Sequence, residues 1–401
     1  MADSLSVSTA TDAELAWPGP CGGPSACRAT VGVGPLVLHA HSTITGALAY
    51  LTATFTGVGE PGHMSKNWGM RLPVIRMELT DSAMACVPPI ASGQQILRDG
   101  FSGQPTPVVA SLVDDHVDVQ VPRSPYTCSY ELRRRRSTIE IIGSDQPHRR
   151  NILTSVAREV WRRTVENLGG TVLHASAVTR PSGAWLFVGP KGAGKTSSAL
   201  SLASAGFSAL LDNDRTAILP NATGTLYALP VPLSIRVAPG TLKGLGSWPH
   251  IRNIQPRLLG GLSTPAAHGR SKVNLTRAEA ACELGLRLSP GARVAGIVLP
   301  CFERGRTAAA TSQVNPDEVR RTLRRYLYLP KDPGFPDDLL LLRRRSEREI
   351  REAGLKIAEQ LCELPAVRYQ FPGASPTQAE LLAGVIEAME DRNRGPAPSE
   401  G

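Results

Sequence analysis

The sequence predicts an α/β protein in which a β-rich N-terminal domain precedes a larger domain of alternating strands and helices. Residues 31–148 contain short runs of branched apolar residues separated by Gly, Pro and Asp, which is typical of strands. From 149 to 392, strand-like and helical patterns alternate, and this favours an α/β domain. A chain of 401 residues is long enough for two such domains.

Five runs rich in branched residues predict the strands of the N-terminal domain. His39 and His41 fall on one strand face, a spacing that suits a metal, but we find no third ligand and interpret both as structural. The arginine run 133–136 is interpreted as a solvated hairpin or strand edge. The five predicted strands lie at 35–43, 47–55, 72–79, 108–121 and 137–143.

The elements of the C-terminal domain are predicted from their apolar periodicity. An apolar stripe from Leu153 to Leu168 predicts a helix that Gly169 and Gly170 end. Further helices are expected at 195–205, 277–286, 317–327, 338–363 and 376–391. Strands are expected at 171–178, 184–189, 207–214, 216–219, 293–300 and 366–371, with an extended segment at 228–237.

The charge balance favours an anionic partner. The chain has 44 Lys and Arg residues against 35 Asp and Glu, a formal net charge of +9, which suits a nucleotide, a phosphate compound or nucleic acid. Aromatic residues make up only 5% of the chain and no recognition helix is evident, so nucleic acid is the least favoured of these. The seven cysteines form no CxxC pair and no zinc-ligand spacing, which indicates reduced thiols.

Both ends of the chain are expected to be tails. Residues 1–30 are rich in Ser, Ala, Gly and Pro, and residues 393–401 have a similar composition, so we expect flexibility or disorder in both. The first stretch has no basic residue before Arg28 and no apolar core, unlike a signal peptide. No stretch resembles a membrane span. We therefore expect a cytoplasmic protein without a membrane partner.

Residues 189–196 match the pattern G-x-x-x-x-G-K-[ST] with the sequence GPKGAGKT, between a predicted strand and a predicted helix. Glycines let successive backbone N–H groups point into one concavity, and the helix N-terminus adds partial positive charge. Lys195 can reach the β- and γ-phosphates, and the Thr196 hydroxyl can ligate Mg²⁺. The pattern predicts a nucleotide site formed by Gly189, Pro190, Lys191, Gly192, Ala193, Gly194, Lys195, Thr196 and Ser197.

Three side chains flank this loop in the sequence. His174 ends the strand-like run before it, and Asp212 and Asp214 end the run after the loop helix. Carboxylates at the end of a strand so close to the loop helix would lie beside the phosphates. One could hold Mg²⁺ and another could accept a proton from an attacking hydroxyl. Taken alone, the acidic segment is typical of an ordinary polar turn.

The segments LHASAV, WLFVGPKGAGKTSSAL and LLDND together resemble the HPr kinase/phosphatase family, and most of all its shorter relatives found beside peptide and natural-product biosynthesis genes. The resemblance covers about residues 150–240 and extends thinly to near 371. It implies a phosphoenolpyruvate-carboxykinase-like α/β fold for the P-loop domain and transfer of a γ-phosphate from ATP or GTP, with Mg²⁺, to a hydroxyl. His174 matches the family's histidine near the phosphates, and Lys195 and Thr196 match its P-loop.

The chain departs from this family at one position. Where relatives carry adjacent aspartates, it has Asp212-Asn213-Asp214, and alignment places the amide of Asn213 at the proton acceptor. Either Asp212 takes over as base, or the base is lost and the chain is not a kinase. In an extended strand Asp212 and Asp214 would share one face. The expected catalytic residues are Asp212, Asp214, His174 and Lys195, with Thr196 and Asp214 as Mg²⁺ ligands.

Two further features have weaker support. Arg236 and Lys272 follow the loop and could bind an anionic substrate, although a surface position is the simpler interpretation of each. The proline-rich segment 329–338 suits a lid over the site or a plain linker.

Four functions remain open, and a kinase acting on a small-molecule hydroxyl, such as a sugar- or nucleoside-like biosynthetic intermediate, is preferred. The same site could serve a protein or peptide serine kinase, with the N-terminal domain binding an extended segment. The third and fourth functions are a non-catalytic nucleotide-binding regulator and a nucleic-acid binder. An oligomer is possible, and dephosphorylation of HPr is not expected because the family's signature for it is absent.

Overall fold

The structure, a computed structural model, describes most of the C-terminal half of the chain and the strands of its N-terminal part. The described residues are 27–33, 36–42, 46–58, 75–83, 94–99, 105–113, 116–121, 130–135, 138–143, 149–259, 272–330, 338 and 340–394. They form a mixed α/β protein with two large sheets. Among them, no helix has both the length and the apolar character needed to cross a membrane.

The N-terminal sheet has eight strands in the order β1-β2-β3-β8-β7-β6-β5-β4. The pairs β2–β3 and β3–β8 are parallel, and the other pairs are antiparallel. The strands are β1 (Cys27–Val33), β2 (Leu36–Ser42), β3 (Ile75–Ala83), β4 (Gln94–Asp99), β5 (Pro105–Val113), β6 (His116–Val121), β7 (Tyr130–Arg135) and β8 (Thr138–Gly143).

Several boundaries of the N-terminal predictions change. The first strand begins at Cys27, inside the predicted tail, while residues 1–26 and 395–401 lie outside the described residues. Residues 133–135 of the arginine run fall in β7, which forms a hairpin with β8 and also pairs with β6, while Arg136 lies outside the described residues. These three residues therefore belong to a hairpin and not to a strand at the edge of the sheet, and the exposure of the run to solvent stays a prediction.

Residues 47–55, predicted as a strand, form helix α1 (Ala47–Phe55). Ala47, Leu51 and Phe55 are buried along one face, at the four-residue spacing of a helix. This face packs on helix α2 (Arg149–Asn167). The prediction is wrong because it relied on the strand-forming residue types in this segment and not on the four-residue spacing of its apolar residues. The packing of this apolar face in the folded protein stabilises the helix.

Helix α2 joins the two sheets. Its buried Trp161 belongs to one apolar cluster with Leu38 and Ile139 of the N-terminal sheet and with Val172 and Ala217 of the second sheet. The helix ends at Asn167, before Gly169 with its φ of +85°, close to the predicted stop. The core is thus continuous across the predicted boundary between residues 148 and 149, and that division into domains stays a prediction.

The second sheet has ten strands of mixed direction. β11 (Gly183–Val188) lies between the antiparallel β10 (Ala175–Arg180) and the parallel β17 (Ala292–Phe302). β12 (Ala209–Asp212) flanks β10, and β20 (Ala366–Phe371) runs parallel to the end of β17. The sheet also contains β9 (Thr171–Leu173), β13 (Thr216–Pro220), β14 (Leu226–Pro230), β18 (Ala310–Gln313) and β19 (Leu327–Tyr328), while β15 (Ile235–Val237) and β16 (Val273–Leu275) form a separate pair.

In the described part of the chain, seven α-helices follow α2, most of them close to their predicted positions. They are α3 (Lys195–Ser204), α4 (Pro239–Gly244), α5 (Trp248–Ile254), α6 (Arg277–Glu283), α7 (Pro316–Tyr326), α8 (Glu347–Cys362) and α9 (Pro376–Arg394). The helix predicted at 338–363 begins only at Glu347, because Ser346 and Glu349 form a capping box there. Before it, the Asp338 carboxylate accepts backbone N–H groups of Leu342 and Arg343 and holds a non-helical turn.

Candidate functional site

The glycine-rich loop leaves a buried strand and opens a helix, as predicted. Every residue of β11 is buried, and α3 begins at Lys195 directly after the loop. Gly194 has a φ of +96°, and a Cβ there would lie 2.2 Å from Cζ of Phe371. Gly192 has a φ of +88°, and a Cβ added at this position would have no atom within 4 Å. The loop is therefore tightly packed at Gly194 and open at Gly192.

Lys195 lies under the loop. Its Nζ atom donates to the carbonyl oxygens of Gly189, at 2.8 Å, and Pro190, at 3.1 Å. Burial is the main cause that lowers the pKa of Lys195 to about 8; Asp214 opposes this effect and Lys272 adds to it. The buried ammonium thus lies where it can donate hydrogen bonds to the loop carbonyls or to an anion that the loop binds.

Thr196 connects the start of α3 to the acidic segment. Its Oγ1 atom donates to the carbonyl oxygen of Asn213 at 3.0 Å, and Ser176 Oγ donates to the same oxygen at 2.7 Å. Because Asp214 follows Asn213 directly, the Thr196 hydroxyl contacts the peptide group that joins these two residues. Ser197 lies away from this contact, since its hydroxyl is 2.9 Å from that of Thr241 in α4.

Asp212 is turned into the protein. Its side chain is 1% exposed, and its Oδ2 atom accepts the N–H of Val231 at 2.6 Å while Oδ1 accepts that of Asn213 at 2.7 Å. Burial raises the pKa of Asp212 to about 7, against the lowering effect of the nearby Arg277 guanidinium and of the N–H donors. These contacts give Asp212 a structural position, with both oxygens occupied by backbone groups.

Asp214 faces the opposite way, toward His174. Its side chain is 43% exposed; Oδ1 lies 3.6 Å from His174 Nδ1, and Oδ2 lies 3.8 Å from Arg215 Nε. Burial lowers the pKa of His174 more than the Asp214 carboxylate raises it, so the imidazole is neutral at pH 7. Of the two aspartates, Asp214 is the one whose carboxylate can meet a substrate.

Two bends in the second sheet bring these residues together. His174 separates β9 from β10, and the segment around Asp214 separates β12 from β13, so both lie where the chain passes between two parts of the sheet. Thr216 Oγ1 donates to the carbonyl oxygen of Ala175 at 3.1 Å, which joins the two bends. Ala175 also pairs with Val188, the residue before the loop. The strand register thus places His174 beside Gly189, and the Asp214 carboxylate lies next to His174.

Arg236 and Lys272, the weaker candidates from the sequence, lie near the same site. Burial lowers the pKa of Lys272, Arg236 and Lys191 lower it further, and Asp214 raises it. Such mutual effects require that these charges lie close together. The exposed Arg236 is held by β15, which pairs with β16 next to Lys272. Together with Lys191 and Lys195, they make this side of the loop strongly cationic.

Two tyrosines, Tyr326 at the end of α7 and Tyr328 in β19, were not predicted as site residues. The Tyr326 ring lies 6.2 Å from the His174 ring, and Lys195 Nζ lies 5.9 Å from its centroid. The Tyr328 ring meets His174 edge-on at 6.4 Å, and the Arg215 guanidinium lies 4.8 Å from its centroid. No local sequence motif marks them, because their role depends on contacts with distant segments.

The remaining expectations concern metals and a lid. No cluster of three or more His, Cys, Asp or Glu that could hold a metal occurs among the described residues. A Mg²⁺ ion bound with a nucleotide needs fewer protein ligands, and the Thr196 hydroxyl and the exposed Asp214 carboxylate are oxygen donors of the kind that Mg²⁺ prefers. His39 has a structural contact, with Nδ1 3.1 Å from Thr30 Oγ1. Most of the predicted lid, residues 331–337, lies outside the described residues.

Comparison with known proteins adds no family assignment: no protein-family model matches the chain, and no curated protein matches it.

Proposed function

We propose that this protein is a Mg²⁺-requiring kinase that transfers the γ-phosphate of ATP or GTP to a hydroxyl of a small molecule. The proposal includes a P-loop domain related to HPr kinase, with a phosphoenolpyruvate-carboxykinase-like fold. The observation that carries it is the convergence of the Lys195 ammonium, held under a glycine-rich loop, and the exposed Asp214 carboxylate beside neutral His174. A cytoplasmic location, where the nucleotide is available, belongs to the same proposal.

The loop supplies the nucleotide site. Lys195 exchanges its contacts with the carbonyl oxygens of Gly189 and Pro190 for phosphate oxygens of the incoming nucleotide. The start of α3 adds partial positive charge, and the glycine backbone offers N–H groups without side chains in the way. Lys191 and Lys272 add attraction for a polyanion.

Thr196 and Asp214 would hold the Mg²⁺ ion, which when bound neutralises phosphate charge during transfer. The Thr196 hydroxyl uses its proton in the bond to the Asn213 carbonyl oxygen, and its lone pairs stay available to a cation. Thr196 is therefore suited to a ligand role without a change in its present contact.

Asp214 acts as the base in this mechanism through the carboxylate oxygen that does not hold the Mg²⁺ ion. The acceptor hydroxyl gives its proton to the Asp214 carboxylate as its oxygen forms a bond to the γ-phosphorus, and the bond from that phosphorus to the β-phosphate oxygen breaks. The nucleoside diphosphate leaves with the electron pair, and Lys195 stabilises the developing charge. His174 Nδ1 lies 3.6 Å from Asp214 Oδ1 and makes no hydrogen bond to it, so a small movement of either side chain would let the imidazole donate to the carboxylate and orient it. Asp212 is not assigned this role because both its oxygens accept backbone N–H groups.

A non-catalytic nucleotide-binding regulator is the second candidate, and the buried amide of Asn213 favours it. An amide at the position of the family's base cannot accept a proton at neutral pH. In that case Asp214 and His174 would contact the nucleotide without supporting turnover.

Incubation with γ-labelled ATP and a cell extract separates the candidates. The proposed kinase places label in small metabolites, and the Lys195→Ala variant places none. Label in a polypeptide band supports a protein or peptide kinase instead. Nucleotide binding without transfer of label to any acceptor supports the regulator.

A further inference from the structure

The exposed aromatic ring of Phe302 has no role in the proposed reaction. It lies at the last residue of β17, and the residue is 45% exposed. Among the described residues, the other large apolar side chains that are exposed are aliphatic, Leu341 and Leu381. An exposed aromatic ring in this position offers a flat apolar face to a ligand.

Phe302 is fixed to the glycine-rich loop. Its backbone N–H donates to the carbonyl oxygen of Ala193 at 3.0 Å. Its ring lies 6.1 Å from the Phe371 ring at an angle of 64°, and Phe371 in turn packs against Gly194. The exposed ring is therefore anchored to the loop through both its backbone and its side chain.

The turn after Phe302 is also held by hydrogen bonds. The backbone N–H of Glu303 donates to the carbonyl oxygen of Phe371 at 3.1 Å. The Glu303 carboxylate accepts hydrogen bonds from Nε2 of Gln370, at 2.7 Å, and from Nη1 of Arg306, at 2.6 Å. An aromatic ring on a segment held in this way loses little conformational entropy when a ligand stacks on it.

The order of the strands places Phe302 on the side of the loop toward which the nucleoside part of a bound nucleotide would extend. The sheet runs β12-β10-β11-β17, with Asp214 directly after β12 and Phe302 at the end of β17. The loop follows β11, between these two sides. In the proposed reaction the γ-phosphate lies at the Asp214 side, so the rest of the nucleotide extends across the loop toward β17 and β20.

We propose that the Phe302 ring is the stacking platform for the base of a purine nucleoside triphosphate. This inference rests on the proposed function, since it assigns the base end of the same nucleotide. A purine has a large flat face for such a contact, and stacking on one aromatic ring is sequence-tolerant, which allows either ATP or GTP.

Isothermal titration calorimetry of three probes, Mg·ATP, Mg·GTP and Mg²⁺ with inorganic tripolyphosphate, tests this inference. We expect Phe302→Ala to raise the Kd of the preferred nucleotide at least about fivefold and to leave the Kd of tripolyphosphate unchanged. Phe302→Leu, which keeps an apolar side chain but removes the aromatic face, should also weaken nucleotide binding. Leu381→Ala, at an exposed apolar residue of α9, is the matched control and should match the wild-type protein.

The possible results separate this inference from the proposed function. Nucleotide binding that is unchanged in Phe302→Ala, or tripolyphosphate binding that weakens equally, overturns the stacking role and leaves the kinase proposal intact. If neither the nucleotides nor tripolyphosphate bind to the wild-type protein, both proposals fail.

Discussion

The Nδ1 atom of His174 lies 3.6 Å from Oδ1 of Asp214, although the two residues belong to different bends of the second sheet. The neighbouring Asp212 lies close in sequence but points into the protein toward Val231. One acidic segment thus supplies two different carboxylates. The first is exposed and lies beside a neutral imidazole, and the second is buried and accepts hydrogen bonds from the backbone. In the proposed reaction, this division gives Asp214 the catalytic role and Asp212 a structural one.

Replacement of the proposed base tests that assignment. Asp214→Asn keeps the shape of the side chain but cannot accept a proton, so kcat should fall by about 10²–10⁴-fold. The Kd of the Mg·nucleotide should change much less than kcat, because Lys195 and the loop are intact and the amide oxygen of the new Asn can replace the carboxylate oxygen as a Mg²⁺ ligand. Steady-state kinetics and calorimetry provide the two measurements, with Asp391→Asn, an exposed carboxylate of α9, as the matched control. A kcat equal to that of the control would refute the base assignment.

The pH dependence of stability tests the structural role of Asp212. Burial raises its folded-state pKa to about 7, above about 3.9 in an unfolded chain. The folded state therefore binds more protons between these values, and the stabilising contribution of this group is complete below about pH 4 and is lost as pH rises through about 7. Urea unfolding across this range should show a shallower decline in Asp212→Asn than in the wild-type protein. Parallel declines in the two proteins would exclude the raised pKa, and Asp391→Asn should follow the wild type.

We expect the charge of Lys195 to give the proposed nucleotide binding a pH dependence. Burial lowers its pKa to about 8, so the side chain loses its positive charge as pH rises above that value. Nucleotide affinity should be constant below about pH 8 and weaken by up to about tenfold per pH unit above it. Calorimetry of Lys195→Arg is the control, because a guanidinium stays charged throughout. Identical profiles for both proteins would show that another group causes the effect.

The packing of Gly194 predicts a difference between two glycines with similar backbone angles. Gly206 has a φ of +81°, and a Cβ added there would have no atom within 4 Å, so Gly206→Ala should cost about 1–2 kcal/mol. Gly194→Ala adds an overlap with Phe371 and should cost about 1–3 kcal/mol more. Urea unfolding measures both losses. Equal losses would mean that Phe371 does not constrain the loop.

The sequence predicts the loop and its flanking elements because their pattern is contiguous. A buried strand, glycines and a helix start follow one another at 184–205, so local chemistry determines the arrangement. The local sequence of residues 47–55 does not determine whether they form a helix or a strand, because the residue types favour a strand and the apolar spacing favours a helix. Its packing against α2 decides in favour of the helix.

The distant parts of the site depend on contacts that no local pattern contains. Arg277 is fully buried and donates to the carbonyl oxygens of Leu211 and Thr56, far away in the chain. Tyr326 and Phe302 also approach the loop only through sheet topology. The sequence therefore indicates which chemistry the loop favours, and the fold determines which side chains surround it.

Calorimetric titration of Mg·ATP and Mg·GTP into the wild-type protein and into Lys195→Ala tests the central claim most directly. With one of the nucleotides, we predict saturable one-site binding to the wild-type protein and none to a Lys195→Ala variant whose circular dichroism spectrum is unchanged. The absence of heat from the wild-type protein with both nucleotides, or equal affinities in the two proteins, would contradict the account.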